Sequence, residues 1–155
     1  MLMKSLGAYG DTAPLILRLG MGLTQLFAHG IPKIVEGPER WESLGRAMQT
    51  LGIGFAPVFW GFMAGAVEVV GGLLLIVGLA VRPTSVALLF VMFVAAAQNL
   101  ATAGSLAGGR AHPIDAGVGL LALLVLGAGK YSLDRKWGLE GTAARTARPQ
   151  STTTV

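Results

Sequence analysis

The sequence predicts an all-α fold: a polytopic membrane four-helix bundle with a short interfacial helix between its first and second spans. Three observations carry this expectation. Hydrophobic residues make up 53% of the 155 residues and charged residues only 13%, about half the charged share of ordinary soluble domains. Apolar stretches recur at about 12–31, 55–81, 84–102 and 113–128, and a bilayer needs roughly 20 apolar residues per crossing. The polar residues inside those stretches fall at helical spacing. Residues 1–138 then form one membrane domain. Residues 139–155, rich in Gly, Ala, Thr, Ser, Arg and Pro without an apolar period, are expected to be a disordered polar tail.

Composition also excludes function classes. The net charge of +4 is modest and the basic residues flank apolar spans, so they are read as topology determinants, with no nucleic-acid partner. There is no cysteine, which removes disulfides, thiol redox chemistry and thiolate metal ligands from this chain.

The first apolar stretch follows Lys4, as a signal peptide would. However, it has no small-x-small cleavage site, contains Arg18 and precedes three more spans, so it reads as a retained span. Arg18, Gly22, Gln25, His29 and Lys33 step by four, three, four and four, which places them on one helical face, an inward polar stripe. From 35 to 54 the chain becomes charged, while Trp41, Leu44, Met48 and Leu51 keep helical spacing after Pro38 and Glu39. This is the expected interfacial helix, with Trp41 as its anchor and a lid or spacer as its role.

The second span holds the one acid in the middle of an apolar stretch, Glu68, on a face shared with Gly61, Gly65 and Gly72. Small residues let a neighbouring backbone approach, so this face is expected to point inward. A carboxylate at that depth costs about 2.5–3.5 kcal/mol on insertion scales and requires a partner; Arg18 is the expected one. Val81-Arg82-Pro83 is expected to end this helix, and span three follows at once, with Gln98 and Asn99 near its far end. After a Gly-rich loop, span four opens with His112, Pro113 and Asp115.

Four spans put both termini on one side. Lys4, Arg82, Lys130, Arg135, Lys136, Arg145 and Arg148 lie on that side, against Lys33, Arg40, Arg46 and Arg110 on the other. The positive-inside bias therefore predicts an inner, cytoplasmic membrane with both termini cytoplasmic.

Polar residues of several helices then collect at one end of the bundle, and the chemistry they suit best is binding a quinone or similar small amphiphile. Arg18, Gln25, His29, Lys33, Gln98, Asn99 and His112 are the candidate binding residues. Glu68 and Asp115 are the candidate proton-handling, catalytic residues. A metal is not expected, because His29, His112 and the acids have no tight ligand spacing within one helix. Two histidines near one interface make a weak case for haem.

Towards the C-terminus, Gly127-Ala-Gly-Lys-Tyr-Ser-Leu-Asp134 closely resembles the ending of the DoxX family. Arg18 with His29-Gly30-x-x-Lys33, Glu68-x-x-Gly71-Gly72 and Gly78-x-x-x-Arg82 match in the same order. The resemblance implies a small four-helix membrane protein. Some DoxX-like proteins are described as the membrane subunit of a thiosulfate:quinone oxidoreductase and others as parts of membrane redox complexes. Nothing in the residues marks thiosulfate, and no cofactor motif is present. An electron path would therefore need a quinone or a partner. Lys130, Tyr131, Asp134 and Trp137 are expected to form an interfacial anchoring belt.

Three functions stay open from the sequence. The first is a quinone-linked oxidoreductase subunit, not active alone, which partners the lipid bilayer, another redox subunit or membrane protein, and a second copy of itself. The others are a non-catalytic scaffold that recruits a partner protein, and a small-solute transporter.

Overall fold

The computed structural model describes residues 12–104 and 108–139. Lys4, Arg145, Arg148 and nearly all of the expected polar tail lie outside them. Every regular element among the described residues is helical. An unbroken helical run opens with α1 (Ala13–Leu23), passes through a π-helical stretch (Thr24–Gly30) and closes with α2 (Ile31–Val35). Then come α3 (Pro38–Gly45), a 3-10 turn (Arg46–Leu51), α4 (Pro57–Val77), α5 (Val81–Ala103), a second 3-10 turn (Gly108–Ala111), α6 (His112–Leu126) and the single turn α7 (Leu133–Lys136).

The first run is longer than its apolar stretch, so Lys33 is still helical. Pro32 explains the π-helical stretch in its middle. Proline has no amide hydrogen to give the carbonyl four residues back, and its ring crowds that carbonyl. The Ile31 amide bonds instead to the Leu26 carbonyl, five residues back, the register that defines a π turn.

Two helices, α4 and α5, are long and apolar enough to cross a membrane. Only 33% and 17% of their most apolar windows are buried, so most of that apolar surface faces outward rather than into a core. The first run packs on α4 and α6, and α5 packs on the same two helices. Leu75, Val81, Leu88, Met92, Leu120 and Leu123 fill the centre.

The Gly61, Gly65, Glu68 and Gly72 face of α4 is buried throughout and works as a track for neighbouring backbone. A Cβ at Gly61 would run into the Trp41 carbonyl of α3. One at Gly65 would press on Ile34 and the Lys33 Cβ, and one at Gly72 would lie 2.8 Å from the Gly22 carbonyl oxygen. Gly45 abuts the Pro57 carbonyl in the same way. α3 is therefore seated on α4 backbone against backbone.

The turn between α4 and α5 falls earlier than expected. Gly78, at φ 73°, ends α4, while Arg82 and Pro83 lie in the first turn of α5, where a missing amide hydrogen does no harm. Ala80 is left-handed at φ 50°, a conformation that L side chains disfavour. It is held by Asp134, whose two carboxylate oxygens accept from the Ala80 and Val81 amides at 2.6 and 2.9 Å. The Asp134 amide returns a bond to the Gly78 carbonyl. This corrects the anchoring role: Asp134 is buried and caps α5, while Lys130, Tyr131 and Trp137 are exposed.

Two outcomes test this packing. Gly61→Ala is expected to lower stability by about 1–3 kcal/mol, the range for overpacking, seen as a lower midpoint in thermal unfolding in detergent. Asp134→Ala removes two charge-assisted bonds to backbone amides and is expected to cost about 3 kcal/mol, with faster proteolysis at the 78–81 turn.

Candidate functional site

The candidate site lies at the end of the molecule that carries α3, opposite the α4–α5 turn. Its centre is an ion pair: Lys33 Nζ lies 2.6 Å from Glu68 Oε1, with Glu68 fully buried and the lysine side chain 20% exposed. The expected Arg18–Glu68 pair does not form. Arg18 sits several turns away beneath Gly78, donating to the Leu75 carbonyl at 3.1 Å and the Tyr131 carbonyl at 2.6 Å. A Cβ at Gly78 would collide with its guanidinium. Arginine's planar fork suits such a point where several carbonyls converge, so Arg18 holds the turn end together and takes no part in the site.

Helix geometry explains the partner change. The first run lies along the α4 glycine track with residues 22, 30 and 33 against 72, 69 and 65, which brings Lys33 level with Glu68 and leaves Arg18 well beyond it. The Lys33 carbonyl accepts from the Trp41 indole at 2.7 Å, and Trp41 packs edge-on against Phe62. The expected anchor thus ties α3 to the lysine's own backbone.

Beside this pair, His29 and His112 bring their Nε2 atoms to 3.3 Å, with ring centroids 4.5 Å apart. One nitrogen must carry the proton and the other the lone pair for that contact to be a hydrogen bond. Lys33 lies within electrostatic range of His29, and Glu68 within range of His112. Gln25 is buried, and neither its amide nitrogen nor its amide oxygen has a hydrogen-bond partner among the described residues; the same holds for Glu68 Oε2. Asp115 is exposed on α6, one helical turn beyond His112.

A cavity of about 750 Å³ opens between α3, the 3-10 turn after it, α4 and α5. Its length is apolar, lined by Met63, Ala64 and Val67 on α4 and by Val86, Phe90, Val91 and Val94 on α5. Its polar groups are Lys33, Ser43, Gln98 and Asn99, gathered where α4 begins and α5 ends. The Trp60 ring lines it there too, its indole nitrogen buried without a partner among the described residues. Asn99 also reaches the Arg110 carbonyl at 3.1 Å. Of the expected binding residues, Lys33, Gln98 and Asn99 line this cavity, whereas Arg18, Gln25, His29 and His112 do not. Sequence reasoning missed Trp60, whose signal was an indole at the start of a helix whose polar end carries the site.

The described residues thus form an all-helical protein with two membrane-capable helices and an ion pair buried among them. A model of the DoxX family matches residues 13–103, more than half of the chain. The chain belongs to the DoxX family and is a membrane protein. No curated protein and no solved structure matches it.

The ion pair makes a double-mutant test. Lys33→Gln leaves a buried carboxylate without its cation and is expected to cost about 3–5 kcal/mol. Adding Glu68→Gln should restore most of that loss in thermal unfolding. Equal losses in the single and double variants would mean that Lys33 acts through packing alone.

Proposed function

We propose that this protein is a four-span subunit of the cytoplasmic membrane, with both termini cytoplasmic, that binds a quinone or a similar amphiphile for a partner oxidoreductase. The observation that carries the reading is the cavity: an apolar channel with all its polar lining at one end. Such a shape takes a head group at the polar end and an apolar tail between α4 and α5, consistent with sites that are mostly apolar with a few placed polar groups. Its lining suits a quinone. Gln98, Ser43 and Lys33 offer N–H or O–H donors to a carbonyl head, and the Trp60 ring adds to the wall beside them. A bound quinone would supply the redox chemistry that this chain's side chains lack. The chain's own part is to orient the head, exclude water from it and keep Glu68 and Lys33 beside it for proton exchange. Electrons would come from a second subunit.

The test is photolabelling in proteoliposomes with a short-tailed, photoreactive quinone analogue, read by peptide mass spectrometry. Labels are expected on α4 and α5 around Phe90 and Met63. Ala64→Trp, which fills the channel, is expected to weaken labelling about tenfold, corresponding to roughly 1.4 kcal/mol of binding. Labelling that ignores Ala64→Trp, or falls on other faces, would remove the cavity as the site.

A further inference from the structure

The cavity and the acid behind it are electrically asymmetric. Lys33 is the one charged side chain among the described residues lining the cavity. The other polar groups there are a hydroxyl and two amides, so the head end presents a cation and several donors. Glu68 does not line the cavity: it is fully buried, touches the lysine through Oε1 and leaves Oε2 without a partner among the described residues. A positive, donor-rich surface facing the ligand, with its counter-ion hidden behind, complements a negatively charged head better than a neutral one.

Charge counting then has a consequence. Before binding, Lys33 and Glu68 sum to zero. An oxyanion on the lysine would leave two negative charges against one positive in a membrane-embedded site, where an uncompensated charge is costly. A single proton on Glu68 restores neutrality, and its orphaned Oε2 has room in its bonding for one. The groups that could pass that proton are in place. His29 from the first run and His112 from α6 share a contact and lie within electrostatic range of Lys33 and Glu68 respectively. The other neighbours of α4 do not compete. On α3, Arg40 is paired with Glu36, Glu42 is paired with Arg46, and Glu39 is exposed. Arg82 of α5 is exposed at the far end, and Arg18 is engaged with carbonyls there.

We propose that the cavity takes a singly charged anionic amphiphile, an apolar chain with a carboxylate-like oxyanion head, and that its binding is coupled to uptake of a proton by Glu68. The head seats on Lys33, the proton enters past His112 and His29, and the loaded site is neutral. This rests on the amphiphile reading above and narrows it to a class of ligand. No electron transfer is involved: a proton leaves the solvent and an O–H bond forms on Glu68.

The experiment uses the full chain in neutral detergent, with a medium-chain alkyl sulfonate as the probe. Its head stays ionised across the working pH range, so it cannot itself carry the proton. Calorimetry gives binding, and a pH dye in weakly buffered solution gives protons. The expected result is saturable binding with uptake of about one proton per probe bound, weaker binding in Lys33→Gln, and loss of the uptake in Glu68→Gln. The wild-type measurement stands even if a variant fails to fold. Sulfonate binding without proton uptake would overturn the coupling. A neutral quinone of matched tail that binds while the sulfonate does not would overturn the anionic class and leave the amphiphile reading standing. If neither probe binds, both readings fall.

Discussion

A carboxylate fully out of solvent on a helix long and apolar enough to cross a membrane is the constraint around which this protein is arranged. Glu68 is tolerable there because Lys33 reaches it, and Lys33 reaches it because the first helical run lies directly on the α4 backbone. That approach depends in turn on α4 having hydrogen in place of side chains at Gly65 and Gly72. Glycine costs helix stability, and the track shows what the loss is exchanged for: a short inter-helix distance at which a lysine and a glutamate on different helices meet at 2.6 Å. Seating α3 on the same track builds one wall of the cavity, so the ion pair and the cavity share an origin in a single glycine face.

The opposite end is closed by different means. Arg18 and Asp134 both answer unsatisfied backbone groups around the α4–α5 turn, the arginine donating to carbonyls and the aspartate accepting from the two amides that open α5. Helix ends leave such groups without partners in the helix itself, and in a lipid setting water is a poor substitute. Arg18 and Asp134 serve backbone satisfaction at this end, while at the α3 end Lys33 faces a cavity. Similar residue types therefore do unlike work at the two ends.

Much of the architecture was legible in the sequence. The inward glycine face, the hairpin of α4 and α5, the short helix carrying Trp41 and the family resemblance all follow from residue spacing. Partner choice was less legible. Arg18, Lys33 and Glu68 were visible as inward charges, but which cation meets the acid depends on how two antiparallel helices are offset along their axes, and periodicity within one helix carries no such information. Asp134 misled for a related reason: beside exposed Lys130 and Trp137 it looks like part of an interfacial belt, and only the folded turn supplies the amides that bury it. Asp115 shares a helix start with His112 but is exposed where His112 is half-buried. Trp60 went unnoticed because its importance comes from a cavity formed by three separate segments.

The π-helical stretch between Thr24 and Gly30 sets the phase between the two ends. Its bonds span five residues rather than four, so it takes up more chain per turn than the α-helix on either side. Arg18 and Lys33 share a face at α-helical spacing, and the stretch between them keeps that phase, with Arg18 under Gly78 and Lys33 on Glu68. Remove one residue from an α-helical part of the run and everything beyond it turns by roughly 100°; within the π-helical stretch the turn can instead close as α-helix, with the lysine still on the glycine track. The spacing between the two cations is therefore more tolerant of a change in chain length at this stretch than in the α-helical turns on either side of it.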